Sequence, residues 1–246
     1  MKAPADATGM RVSPRFVGHL GVADVATVAN AALGFVAAAV ATVDVHLAAR
    51  LVLLAAIADG VDGLLARVYG GSEVGPLLDS LADVASFGVA PAVLVFVVAS
   101  GEWGLSLTAP DARLAAALIV PALFVGMGVV RLGLYAAYDS DDAATEGVQT
   151  TLAATVLALL VLAGVPELLG AGPATLLLAV AGACVYLMVA PVTYPDLYTR
   201  DQLVFGGLQG LAILLPDALD AVFPRALLLF ALGYLLLAPR FYWREG

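Results

Sequence analysis

The chain has 246 residues, 62% hydrophobic and only 13% charged, with a formal net charge of −9 and a mean hydropathy of +1.00. A soluble domain carries roughly a quarter charged residues, so the composition excludes an ordinary water-soluble globular protein. It predicts an all-α, polytopic integral membrane bundle, a single membrane-embedded domain over residues 1–246, with the lipid bilayer as its surroundings and no nucleic-acid partner.

The segment before residue 20 is short and polar and holds Lys2, Arg11 and Arg15. It does not read as a cleaved signal, because no cleavage-like site follows the first apolar run. Apolar segments then fall at about 20–42, 47–67, 76–99, 112–137, 149–168, 172–193, 203–216 and 224–239. A spanning helix needs about 20 such residues, and about eight transmembrane helices are predicted. The seventh segment is short for a span and is expected to be tilted, re-entrant or buried. His19 and His46 flank the first segment at opposite ends, too far apart to share a metal. The single cysteine, Cys184, lies in an apolar run and excludes an intrachain disulfide and a Cys-rich metal site.

With the N-terminus inside, the inner ends and loops hold Lys2, Arg11, Arg15, Arg67, Arg131, Arg200, Arg240 and Arg244, and the outer ones Arg50, Arg113 and Arg225. That is the direction of the positive-inside rule. Both termini and the region around residues 59–83 are therefore expected to face the cytoplasm, with the chain multi-pass in the cell membrane. One lysine against ten arginines and twenty acids is an unusual balance. It fits a protein bathed in high salt, as in a halophile, where screening relieves self-repulsion.

Four aspartates interrupt the second and third segments. Asp59 and Asp62 are three residues apart and share a helical face, with Gly63 and Arg67 on the same side. Gly75-Pro76 marks the start of the next helix, where Asp79 and Asp83 are four apart. Antiparallel packing of the two helices would make the pairs face each other. Intramembrane carboxylates are costly, about 2.5 to 3.5 kcal/mol each on insertion scales, so the arrangement calls for cations. All-oxygen ligands suit Mg²⁺ or Mn²⁺ rather than zinc, and two such ions clamp both sides of a phosphoryl displacement. Gly63 lets a ligand approach the backbone. Arg67 offers a fork for phosphate oxygens, and Ser72 another hydrogen bond. A structural salt-bridge network would leave too much charge uncompensated. A divalent-cation transporter is the competing reading of the acids alone.

At these residues the sequence resembles a known family. "DGVDGLLARVYGGSEVGPLLDSLAD" is similar to the motif of the CDP-alcohol phosphotransferases, D-x-x-D-G-x-x-A-R, a spacer, then G-x-x-x-D-x-x-x-D. It maps onto Asp59, Asp62, Gly63, Ala66, Arg67, Gly75, Asp79 and Asp83; the spacer, Val68 to Val74, is seven residues where the family usually has eight or so. The resemblance implies that Asp59, Asp62, Asp79 and Asp83 hold two divalent ions, Mg²⁺ or Mn²⁺. It implies that Asp83 is also the general base for the acceptor hydroxyl. Gly63, Arg67, Ser72 and Gly75 would contact the CDP moiety of a CDP-lipid. A homodimer is implied as well.

The segment "LDSLADVASFGVAPA", residues 78–92, resembles the phosphatidylserine synthase branch. Glycerophosphate-using relatives usually have Pro and a basic residue where Ser80 and Val84 stand. Ser86, Phe87, Gly88 and Pro91 equally suit a helix kink. "TVANAALGF", residues 27–35, resembles the branch's first helix; Thr27 and Asn30 either bond the nucleotide or act as interhelical polar contacts. Asp24 stands where relatives often have Asn. "VVRLGLYAAY", residues 129–138, keeps Arg131 of an R-L-A-R-F-N element. Arg131 then contacts the serine carboxylate or a lipid phosphate, or pairs with an acid at 139–142. The resemblance thus implies transfer of a phosphatidyl or archaetidyl group from CDP-diacylglycerol or CDP-archaeol to L-serine, with CMP released. The archaeol donor goes with a halophilic archaeon. An inositol phosphate or glycerol phosphate acceptor is the nearest alternative.

Overall fold

The computed structural model describes residues 19–139, 144–195 and 197–242. Lys2, Arg11, Arg15 and Arg244, used above for orientation, lie outside these residues, as do positions 140–143. Among the described residues, ten α-helices make up nearly all of the regular structure: α1 (Val22–Ala41), α2 (Val45–Tyr69), α3 (Gly75–Asp83), α4 (Ala90–Trp103), α5 (Ala112–Leu134), α6 (Thr150–Leu162), α7 (Val165–Leu169), α8 (Pro173–Leu187), α9 (Thr199–Leu214) and α10 (Val222–Phe241). The fold is an all-α polytopic membrane bundle, and each of the eight apolar segments contains a helix.

Among the described residues, four helical stretches are long and apolar enough to cross a membrane: Val22–Ala41, Gly75–Trp103, Ala112–Tyr138 and Val222–Phe241. The 25-residue α2 is also long enough, but it carries Arg50, Asp59, Asp62 and Arg67. α6 and α8 are shorter apolar helices. Leu203, Phe35, Leu229 and Leu236 are each more than 70% exposed on the bundle's outer surface, as side chains facing lipid tails would be.

The helix ends follow from local chemistry. The Asp44 carboxylate accepts hydrogen bonds from the backbone N–H groups of His46 (2.9 Å) and Leu47 (3.0 Å), capping α2. Asp111 caps α5 through the Leu114 N–H at 2.8 Å. α2 stops at Gly70, whose φ of +85° few other residues adopt, and Pro76 opens α3.

α3 and α4 are one continuous rod joined by a π-helical stretch, Val84–Val89, rather than by a break. The kink expected of Ser86, Phe87 and Gly88 is thus a change of helical register. A second π-helical stretch, Tyr135–Asp139, extends α5. The N-terminal half of the rod packs against α1. At Gly34 the two backbones approach so closely that an added Cβ would lie 2.7 Å from Ser86 Cα. The Ser86 hydroxyl donates to the Asn30 carbonyl at 2.7 Å across the same contact.

α6 is apolar all round and buried along almost its whole length, the expected state of a central helix. α2, α8 and α10 pack around it. Cys184 is buried in α8, a packing residue. Two three-residue strands, β1 (Ala144–Glu146) and β2 (Thr193–Pro195), pair antiparallel with Thr145 opposite Tyr194. They clasp the segment after α5 to the segment after α8. No sequence pattern announced them, because three residues are too few for an alternation to register.

Candidate active site

The acidic site is built by α2, α3 and the first half of α1. α2 and α3 are joined by the loop 70–74 and both pack against α1, and their aspartates meet. One carboxylate oxygen from each of Asp59, Asp79 and Asp83 lies within 4.8 Å of the others. Asp83 is 7% exposed and Asp59 half-buried. Asp62 stands beside this trio rather than in it. It is 5% exposed and faces Thr27 and Asp24 on α1, while its charge acts on both Asp59 and Asp79.

Among the described residues, no ion pair engages the carboxylates of this cluster. The ion pairs of the described residues, Arg200–Asp201 and Arg225–Asp220, lie elsewhere. Asp62 Oδ2, Asp83 Oδ1 and Ser72 Oγ are buried with no hydrogen-bond partner among the described residues. Buried charged acceptors left unpaired are expensive. Such a set of anionic oxygens fits a hard divalent cation, whose preferred ligands are carboxylates.

The remaining predicted residues surround the cluster. Gly63 and Arg67 are exposed on α2, and a Cβ at Gly63 would meet nothing within 4 Å. Packing therefore does not explain that glycine, and open space lies in front of it. Gly75 is tighter: a Cβ there would come within 3.3 Å of Asp24 Oδ1 and 3.6 Å of Ser72 Oγ. Thr27 donates to the Ala23 carbonyl at 3.3 Å and also meets Asp62. Asn30 is fully buried, and neither its side-chain nitrogen nor its side-chain oxygen has a partner among the described residues.

Arg131, 6% exposed, reaches toward the cluster from α5 and acts electrostatically on Asp83. It donates to the Thr145 hydroxyl at 3.2 Å and lies 5.2 Å from the Tyr135 ring centroid. Beside it is a cavity of about 190 Å³, bounded by Arg131, Leu134, Tyr138 and Glu146 and by residues 188–190. Two residues near the site were not singled out for it by sequence. Asp24 is 1% exposed, accepts from the Gly21 N–H at 2.6 Å and neighbours Asp62. Its place three residues before Thr27, on the same helical face, was the available signal. Glu146 reaches the cavity only through β1 and carried no such signal.

The fold and this centre define a class: a polytopic membrane protein with a buried carboxylate cluster suited to divalent cations. Residues 20–192 match the CDP-alcohol phosphatidyltransferase family, and the chain belongs to that family, whose members generally depend on a divalent metal. It is 29% identical over 186 residues to the archaetidylserine synthase of Methanothermobacter thermautotrophicus, covering 74% of this chain and 72% of that protein. It is 35% identical over 95 residues to the CDP-diacylglycerol–serine O-phosphatidyltransferase of Mycobacterium tuberculosis, covering 38% of this chain. A protein of the same description from Helicobacter pylori is 35% identical over 119 residues, covering 47% of this chain and 46% of its own length. The chain spans only 29% of the length of the mycobacterial relative.

Proposed function

We propose that the protein transfers the phosphatidyl or archaetidyl group of a CDP-lipid to L-serine and releases CMP. The observation that carries this reading is the convergence of Asp59, Asp79 and Asp83 within 4.8 Å, with Asp62 adjacent. The choice of serine rests on the residues after Asp83 and on the relatives named for serine and archaetidylserine chemistry. The reading treats residues 1–246 as one membrane-embedded domain, working as a homodimer in the cell membrane with its site toward the cytoplasm.

Each residue then has a task. Asp59, Asp62, Asp79 and Asp83 hold two divalent ions, Mg²⁺ or Mn²⁺. Bound there, the ions would neutralise the diphosphate and stabilise the attacking and leaving oxygens. Arg67 forks onto phosphate oxygens, Ser72 donates a hydrogen bond, and Gly63 and Gly75 leave room for the CDP moiety against the helix backbones. Thr27 and Asn30 offer polar groups to the same ligand. Asp83 accepts the proton of the serine hydroxyl. The serine oxygen bonds to the phosphorus bearing the lipid, the bond from that phosphorus to the bridging oxygen breaks, and CMP leaves with the electron pair.

The test is CMP release by purified protein with CDP-diacylglycerol or CDP-archaeol, Mg²⁺ or Mn²⁺, and a panel of alcohols. Serine is expected to be the preferred acceptor. Asp83→Asn should lower turnover by about 10²–10⁴-fold, the usual worth of a general base, while CDP-lipid still binds. CMP release with inositol phosphate or glycerol phosphate and none with serine would reassign the acceptor. Cation flux without CMP release from any CDP-lipid would point to a transporter.

A further inference from the structure

The cavity beside Arg131 has opposite charges on two of its walls. Arg131, Leu134 and Tyr138 come from α5 and its π-helical extension, Glu146 from β1, and Met188, Val189 and Ala190 from the end of α8. Its volume of about 190 Å³ gives room for a small solute.

The backbone holds Glu146 in place. β1 pairs Glu146 with Thr193. The next two N–H groups donate to the third wall and its continuation: Gly147 to the Val192 carbonyl at 2.8 Å and Val148 to the Leu187 carbonyl at 3.0 Å. Gly147 has φ of +75°, and a Cβ there would lie 2.2 Å from the Met188 carbonyl oxygen. Only glycine lets the strand lie this close to the end of α8. On the opposite side, Arg131 acts on both the cavity and Asp83, the aspartate read as the base. α5, which carries Arg131, packs against the π-helical stretch 84–89 that follows Asp83, so Arg131 links the cavity to the acidic centre.

A cation and an anion lining one small cavity match the two charges of an α-amino acid. We propose that this cavity is the acceptor subsite and that Glu146 is its specificity-determining residue, holding the ammonium group while Arg131 takes the carboxylate. The arrangement also disfavours rivals. A phosphate-bearing alcohol would bring its negative charge toward the Glu146 carboxylate, a repulsive element of the kind that specificity needs. The proposal rests on the reading of the protein as a CDP-lipid:serine transferase.

The test compares the purified wild type with Glu146→Gln, measuring CMP release with L-serine and with glycerate, in which a hydroxyl replaces the amine. Glu146 is exposed, so the substitution is compatible with folding, and the KM for CDP-lipid reports an intact donor site. Glu146→Gln is expected to raise the KM for serine by roughly 10- to 100-fold, the worth of a hydrogen bond to a charged group. The kcat and the CDP-lipid KM should stay at wild-type values, and the preference for serine over glycerate should fall by the same factor. Glu146→Asp, which keeps the charge, should recover part of that preference. A wild-type serine KM in Glu146→Gln, or an equal rise in the CDP-lipid KM, overturns the proposal. If the wild type itself releases CMP with another alcohol and none with serine, the functional reading fails first and this assignment falls with it.

Discussion

Gly34→Ala tests how α1 is set against the rod that carries Asp79 and Asp83. The added methyl would sit 2.7 Å from both Ser86 Cα and Ser86 Oγ and 2.8 Å from the Ala85 carbonyl carbon. Two of these three neighbours are backbone, so no rotamer change relieves the clash. Ordinary contact begins near 3.4 Å, so the helices must separate by about 0.7 Å. The same shift stretches the 2.7 Å bond from Ser86 Oγ to the Asn30 carbonyl toward about 3.4 Å, outside the normal O–H···O range. Overpacking costs about 1–3 kcal/mol and the lost hydrogen bond about 1 kcal/mol, so a loss of about 2–4 kcal/mol is expected. The assay is unfolding of the purified protein in detergent beside Gly233→Ala, whose Cβ would meet nothing within 4 Å. Gly233→Ala should be neutral or slightly stabilising, since Ala is the better helix former. Turnover should fall in Gly34→Ala as well, because the contact lies one helical turn from Asp83. Equal stability of Gly34→Ala and wild type would refute the close approach of α1 to residues 85–86.

Removal of divalent ions by chelation should abolish CMP release, with Mg²⁺ or Mn²⁺ restoring it. Adding either ion at about 100 times its Kd should also stabilise the fold by about 2.7 kcal/mol, a shift in unfolding temperature that Asp79→Asn should diminish. Gly147→Ala should destabilise the β1–β2 clasp, because its positive φ and the Met188 carbonyl at 2.2 Å both exclude a side chain; proteolysis within 140–150 reports the loosening. Activity should require molar salt if screening offsets the net charge of −9, and full turnover in dilute buffer would contradict that account.

Much of the site was legible because its chemistry is written at helical spacing. Asp59 with Asp62, and Asp79 with Asp83, share faces by periodicity alone, and the apolar runs on either side locate the helices in a membrane. Spacing could not place Asp62 beside the trio instead of within it, because that depends on how α2 rotates against α1 and Thr27. Glu146 was hidden for a different reason. Its position depends on a three-residue strand paired with another nearly fifty residues away, a contact with no local signature. The break between α6 and α7 at Gly164, φ +62°, fell within one apolar segment, where hydrophobicity alone reads as continuous.

The π-helical stretch at 84–89 makes the rod from Gly75 to Trp103 behave like a key whose bit is turned relative to its shank. An α-helix advances about 100° per residue, and a π-bulge is in effect one residue inserted into that count. The half bearing Asp79 and Asp83 can therefore face the acidic centre while the half bearing Leu94, Val95 and Ala99 is buried in the apolar core. A single-residue deletion within 84–89 would realign the two halves. The aspartates of α3 would then swing together by about 100° relative to α4, leaving the sequence on both sides intact and Asp79 and Asp83 aimed away from Asp59.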